Sequence, residues 1–203
     1  DLNGGPMVVG DQGRGQLIVT NGAAFKNLGN INLGGWQYGS LAYDGTNGHG
    51  TVRVDTNSTC EAQRFDVGLY STGVVEVVHG GKLTGTDMVL GTGYSYLYPD
   101  LSHGTNPAAY GTLTVANASS RVDVTTLQVG DAGRGKVVVS DNAVLAATGL
   151  ISLKNSKLTV SDAGVTATGN LTTSGSTNTI RIELGARRHG LAYIQAAGLN
   201  RAA

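Results

Sequence analysis

The chain has 203 residues, of which 32 are glycine, 14% are charged and 5% are aromatic, and its 14 basic residues balance 14 acidic ones. So few rings exclude an aromatic-filled globular core and favour many short strands of Val, Leu, Ile and Ala in thin layers. Zero net charge, with Arg187-Arg188 as the only adjacent basic pair, argues against a nucleic-acid surface. No run of about 18 apolar residues is present to span a bilayer.

Asp1 is not an initiator methionine and no signal-peptide pattern follows it, so the chain reads as a processed or excised piece of a longer protein. The first element opens with Val9-Gly10-Asp11-Gln12-Gly13-Arg14-Gly15, a heptamer that returns with one substitution as Val129-Gly130-Asp131-Ala132-Gly133-Arg134-Gly135. Between and around them an apolar-Gly dipeptide recurs: Val9-Gly10, Leu33-Gly34, Val67-Gly68, Leu90-Gly91 and Val129-Gly130. Downstream of each comes a strand with two inward candidates at spacing two, namely Leu17/Val19, Val52/Val54, Val75/Val77, Leu113/Val115 and Val137/Val139. Less perfect copies follow at Leu158/Val160 and Ile180/Ile182.

Successive pairs lie 35, 23, 38, 24, 21 and 22 residues apart, so the unit is 21 to 24 residues with two long intervals. Each unit reads as strand, turn, strand, turn, strand, and no helical periodicity appears. One such unit cannot bury its apolar face alone, whereas stacked units make a continuous column. A rise of about 4.8 Å per coil gives a rod roughly 35 Å long for seven or eight coils. The expected fold is therefore an all-β parallel β-helix, a single segment over residues 1–203 whose C-terminal coil, 170–203, is less regular.

Gly13, Gly15, Gly133 and Gly135 are expected to take positive φ in the turns. A phosphate-cradling role for them would need a following helix, and a β-run follows instead. Asp11 and Asp131 are expected to bond turn amides, and Arg14 and Arg134 to face solvent. Cys60 is the only cysteine, which excludes an intrachain disulfide framework and multi-cysteine metal sites and marks it as a buried small hydrophobe. The tripeptides starting at Asn57, Asn117 and Asn170 match a glycan-acceptor pattern and read as ordinary turns.

The pattern Val-Gly-x-x-Gly-x-Gly-x-Leu-x-Val followed by Asn/Gly-Gly-Ala resembles the repeat of autotransporter passengers and PEP-CTERM-associated secreted proteins. Its clearest copies are Val9 to Phe25 and Val129 to Leu145, with a weaker one from Val67 to Leu83; degenerate coils extend it over roughly residues 5–185. The resemblance implies a right-handed parallel β-helix, secreted or held on the outer surface of a Gram-negative bacterium. It implies neither catalytic residues nor cofactor nor metal, since the repeat itself has none.

Two insertions, about 35–50 and 92–110, fall directly after an apolar-Gly dipeptide and hold Trp36 and six of the eight tyrosines. Insertions in a solenoid emerge on one face. The candidate contact residues are Trp36, Tyr38, Tyr43, Tyr94, Tyr96, Tyr98 and Tyr110, with Tyr70 on the coil between. These rings either pack over the flank of the rod or offer flat faces to surface glycans or proteins, host or bacterial. The favoured role is a non-enzymatic adhesin or stalk. A self-associating structural protein, with coil ends stacking between copies, is the alternative. An enzyme acting on polysaccharide would have to gather Asp44, His49, Asp55, Glu61, Asp100 and His103 on one face.

Overall fold

A computed structural model describes residues 4–35, 47–97, 102–105, 107–161, 163–167, 170–175, 177–183, 193–196 and 198–201. Among the described residues the order is β1 (Met7–Val9), β2 (Arg14–Val19), β3 (Ala24–Leu33), β4 (His49–Val54), β5 (Thr59–Val67), β6 (Thr72–Val78) and β7 (Lys82–Leu90). Then come β8 (Tyr94–Leu97), β9 (Ser102–Thr105), β10 (Tyr110–Ala116), β11 (Arg121–Val129), β12 (Arg134–Ser140), β13 (Val144–Ala147) and β14 (Ile151–Lys154). The last six are β15 (Lys157–Ser161), β16 (Gly164–Ala167), β17 (Asn170–Ser174), β18 (Thr179–Glu183), β19 (Tyr193–Gln195) and β20 (Gly198–Arg201). No α-helix occurs among the described residues.

Strands alternate between two sheets, except that β8 and β9 pair with each other and that β13-β14, β16-β17 and β19-β20 are consecutive strands of one sheet. One sheet runs β18-β15-β12-β10-β6-β4-β2, and the other has β1-β3-β5-β7-β11-β13-β16-β19 as its spine. All pairs within both sheets are parallel, so the chain climbs one rung per turn as a parallel β-helix. The seven strands of the first sheet define seven coils.

The inward pairs stack in register. Leu17, Val52, Val75, Leu113, Val137, Leu158 and Ile180 form one column, and Val19, Val54, Val77, Val115, Val139, Val160 and Ile182 the next. From Val52 to Leu158 the first column is at most 1% exposed. At the outer rungs Leu17 is half-buried and Ile180 is 37% exposed, because each has a stacked neighbour on one side only in its sheet. Each fully buried Val or Leu contributes about 1.5–3 kcal/mol by leaving water.

The second sheet supplies the opposite wall. Its columns include Phe25, Cys60, Leu83, Val122, Leu145, Val165 and Ile194, and also Ile31, Phe65, Met88, Leu127, Ile151 and Leu171. In the first four coils this wall is one long strand, rather than the two expected. The later coils break it into β13 and β14, then β16 and β17. The break marks a bend present throughout: register slips between Asn27 and Asn30 against β5. Asn27 is buried there, its Nδ2 donating to the Asn30 carbonyl at 3.0 Å and its Oδ1 accepting from the Gly29 amide at 3.3 Å.

The corner leading from the first sheet to the second is a two-residue turn with both central φ values positive: Asn21-Gly22, Thr56-Asn57, His79-Gly80 and Asp141-Asn142. Asn and Gly tolerate this backbone, which suits the twist between the flanking strands. Asn57 and Asn117 both lie in left-handed turns, but Asn170 opens β17 and is not a turn residue. Buried serines satisfy neighbouring amides, with the Gly80 amide donating to Ser120 Oγ at 3.0 Å and the Gly135 amide to Ser156 Oγ at 2.9 Å.

Candidate contact surface

The other corner, where the second sheet returns to the first, carries the apolar-Gly dipeptides. Gly10, Gly34, Gly68, Gly91 and Gly130 all have positive φ, between 67° and 82°. Gly13, Gly15, Gly133 and Gly135 do not, contrary to the sequence expectation. Gly15 and Gly135 belong instead to a ladder with Gly50, Gly73 and Gly111, the second residue of β2, β4, β6, β10 and β12. The ladder is required by close approach. A Cβ on Gly111 would lie 2.3 Å from the Val67 oxygen and 2.4 Å from the Gly91 nitrogen. Those two atoms share the 2.7 Å hydrogen bond that stacks one corner on the next.

Both insertions leave from this one corner. The Gly68 amide donates to Leu33 O at 3.0 Å and the Gly91 amide to Val67 O at 2.7 Å, so Gly34, Gly68 and Gly91 lie on successive rungs. The insertion roots are thus two rungs apart, about 10 Å. The short turn 68–71 is wedged between them, its Tyr70 and Ser71 amides donating to Gly34 O at 3.0 and 2.9 Å. The turn 130–133 sits on the far side, with the Ala132 amide donating to Thr92 O at 3.1 Å. Both insertions rejoin the sheet at matched positions, because His49 and Tyr110 each pair with Thr72.

Trp36, Tyr38, Tyr43 and Tyr98 lie outside the described residues, as do Asp44 and Asp100. Tyr94 and Tyr96 stand in β8, which pairs antiparallel with β9 to make the second insertion a hairpin, Tyr94 opposite Thr105 and Tyr96 opposite His103. Tyr70 is half-buried in the turn between the insertions. Tyr110 is the first residue of β10, 37% exposed, and is part of the sheet rather than of a loop. Arg14 and Arg134 are exposed, as expected, at the same strand-opening position.

Of the residues an enzyme would have to gather on one face, His49, Asp55 and Glu61 fall among those whose side chains are described, and these three are spread apart. His49 opens β4 and Asp55 follows its end, six residues or about 20 Å away. Glu61 pairs with Lys26 at 2.8 Å on the outer face of the second sheet. Asp55 does not simply face solvent. Only 15% exposed, it accepts from Arg53 Nη2 at 2.8 Å and contacts His79 Nδ1 at 2.9 Å. The Arg53 hydrogen bond, with smaller help from His79 and Thr56, outweighs desolvation and holds its carboxyl well below the usual aspartate range. Cys60 is fully buried, and burial pushes its thiol up to about 12. Among the described residues no group of three His, Cys, Asp or Glu could hold a metal ion.

One feature near the insertion roots carried no signal in the sequence. Asn32, Asp66 and Val89 alternate outward on neighbouring second-sheet strands, yet they are only 1%, 5% and 6% exposed. Asp66 is bonded by Arg64 at 2.8–3.0 Å and by Thr92 Oγ1 at 3.4 Å. Gln128, on the following rung of the same column, is half-exposed. Among the described residues of this outer column, full burial is confined to the rungs of β3, β5 and β7.

Comparison with protein-family models, with curated proteins and with solved structures finds no match to this chain.

Proposed function

We propose that this chain is a non-enzymatic β-helical stalk and adhesin, secreted or displayed outside a Gram-negative cell, whose insertion-bearing corner contacts surface glycans or proteins. The observation supporting this reading is the common root. The long excursions, with most of the aromatic residues, start on one corner two rungs apart, while the same corner elsewhere is closed by short turns. A rigid column of stacked Val and Leu needs no such excursions for its own stability. Rings with polar tips suit a contact surface for sugars or protein loops. The resemblance of the Val9 and Val129 repeats to autotransporter passengers supports export to the cell surface.

The test compares the full chain with a Trp36→Ala/Tyr94→Ala/Tyr96→Ala variant in adhesion to epithelial and bacterial cells and on a glycan array. Loss of adhesion with an unchanged far-ultraviolet spectrum supports the reading. Undiminished adhesion by the variant refutes it.

A further inference from the structure

The basic residues between 134 and 157 are scattered along the chain, but stacking gathers them. Arg134 and Lys136 lie on β12, and Lys157 is the register partner of Lys136 on β15, one rung or about 4.8 Å away. Lys154 ends β14, and its carbonyl lies against Gly130, so it sits on the corner beside the Arg134 turn. All four side chains are exposed, and none is in an ion pair among the described residues. Asp131, three residues before Arg134, is half-buried in the turn and already engaged. Like charges on adjacent strands at matched positions repel, so this arrangement costs stability in the free protein.

The same corner holds a groove of about 270 Å³ lined by Pro107, Ala132, Gly133, Arg134, Asn155 and Thr177. These residues come from four successive corners, so the groove runs along the rod axis for about 14 Å. Its lining mixes Pro107, Ala132 and Gly133 with the polar Arg134, Asn155 and Thr177 and holds no aromatic ring, and Thr159 and Thr179 extend the hydroxyl-bearing surface beside Lys157.

We infer that the corner and adjoining outer face of coils four to seven form a docking groove for a linear acidic polysaccharide, with carboxylate or sulfate groups on Arg134, Lys136, Lys154 and Lys157. An extended chain lying along the axis meets a new rung every 4.8 Å or so, with charges at its flank and hydroxyl and amide partners at its base. The absence of an aromatic ring among the lining residues disfavours single-stranded nucleic acid, which needs stacking platforms. Pro107 at one end of the groove belongs to the second insertion, but Arg134, Lys136, Lys154 and Lys157 lie in neither insertion, and the inference does not rest on the aromatic residues.

The probe is polygalacturonate, with the full chain titrated by biolayer interferometry at 50 mM salt. The wild type is expected to bind polygalacturonate and not neutral dextran, and Lys136→Gln/Lys157→Gln is expected to weaken binding about tenfold. Lys82→Gln/Arg121→Gln removes another register-matched basic pair, on the outer face of the second sheet with Asp123 beside Arg121, and should leave binding unchanged. The Trp36→Ala/Tyr94→Ala/Tyr96→Ala variant should also bind normally, which separates this groove from the adhesive reading. The inference is overturned if the wild type does not prefer polygalacturonate to dextran, or if the Lys82/Arg121 variant weakens binding as much as the Lys136/Lys157 one. Equal or tighter binding to single-stranded DNA or to phosphatidylglycerol vesicles also overturns it.

Discussion

Replacing Gly111 by alanine tests the corner geometry directly. The added methyl would sit 2.3 Å from Val67 O, 2.4 Å from Gly91 N and 2.8 Å from Leu90 Cα, all backbone atoms that cannot rotate away. It would lie within the 2.7 Å hydrogen bond between the Gly91 amide and the Val67 carbonyl. Losing that bond in a buried corner costs about 1–3 kcal/mol. Forcing the backbones apart costs a further ~1–3 kcal/mol. Reduced freedom of the unfolded chain returns about 0.4–1 kcal/mol, since Gly111 is not in the left-handed region. The net expectation is a loss of about 3 kcal/mol, a large share of the 5–15 kcal/mol typical of a domain. Gly13→Ala is the control: it lacks positive φ and has nothing within 4 Å of the added atom, so it should be neutral or slightly stabilising. Urea unfolding followed by far-ultraviolet dichroism measures both, and amide exchange at Gly91 should quicken only in the first. Coincident urea midpoints for the two variants would refute the close-approach argument.

Thr56 is a β-branched residue at φ 49°, held in a turn that prefers Asn or Gly. Thr56→Gly relieves about 1–2 kcal/mol of left-handed cost but adds about 0.4–1 kcal/mol of unfolded-chain freedom and gives up the Thr56 Oγ1 bond to Asp55. It should therefore raise stability by only about 0.5 kcal/mol, read as a small upward shift in urea midpoint. Asp55→Asn removes a carboxylate whose folded-state ionisation is favoured by Arg53. A depressed folded value stabilises the fold above the unfolded value and is lost as pH falls through the folded one. The variant should therefore melt below the wild type at pH 7, and the gap should narrow once pH drops under about 3.9; a gap that stays constant to pH 2.5 would contradict the pairing. Cys60, buried and with its thiol pushed up to about 12, carries a thiolate fraction of only about one in ten thousand at pH 8. Ellman's reagent should label it only after denaturant is added, and rapid labelling of the native chain would contradict its burial.

The first-sheet columns were legible because their inward residues keep strict period two, as at Val52/Val54 and Leu113/Val115, and because an apolar-Gly pair announces each return. The opposite wall was not. Its inward residues run Cys60, Ala62, Phe65, Val67, with a step of three at the bend, so a period-two reading loses phase there. The same step recurs at Val124 to Leu127. Glycine marks the turn in the sequence, but the heptamer does not show which of its members needs the left-handed backbone. Gly10 and Gly130 supply the left-handed backbone, while Gly15 and Gly135 make room for a neighbouring corner that only stacking brings near. Likewise, the shared root of the insertions followed from their place after Leu33-Gly34 and Leu90-Gly91. The covered outer column of Asn32, Asp66 and Val89 did not, because alternation assigns those residues to solvent.

The returning corner holds its register whatever chain length it carries. Lys154 to Lys157 closes it in a few residues, whereas Gly91 to Tyr110 takes many more, yet the ladder keeps one register: Tyr110 pairs with Arg134, and Lys157 joins two residues further along, opposite Lys136. Clamping of both ends by backbone bonds, as at the Gly34 amide to Val9 O and the His49 amide to Gly13 O, uncouples the loop from the column. The rod is therefore a natural graft scaffold. A foreign epitope spliced between Leu69 and Tyr70 would be presented between two native excursions, at a cost that grows only as the logarithm of its length.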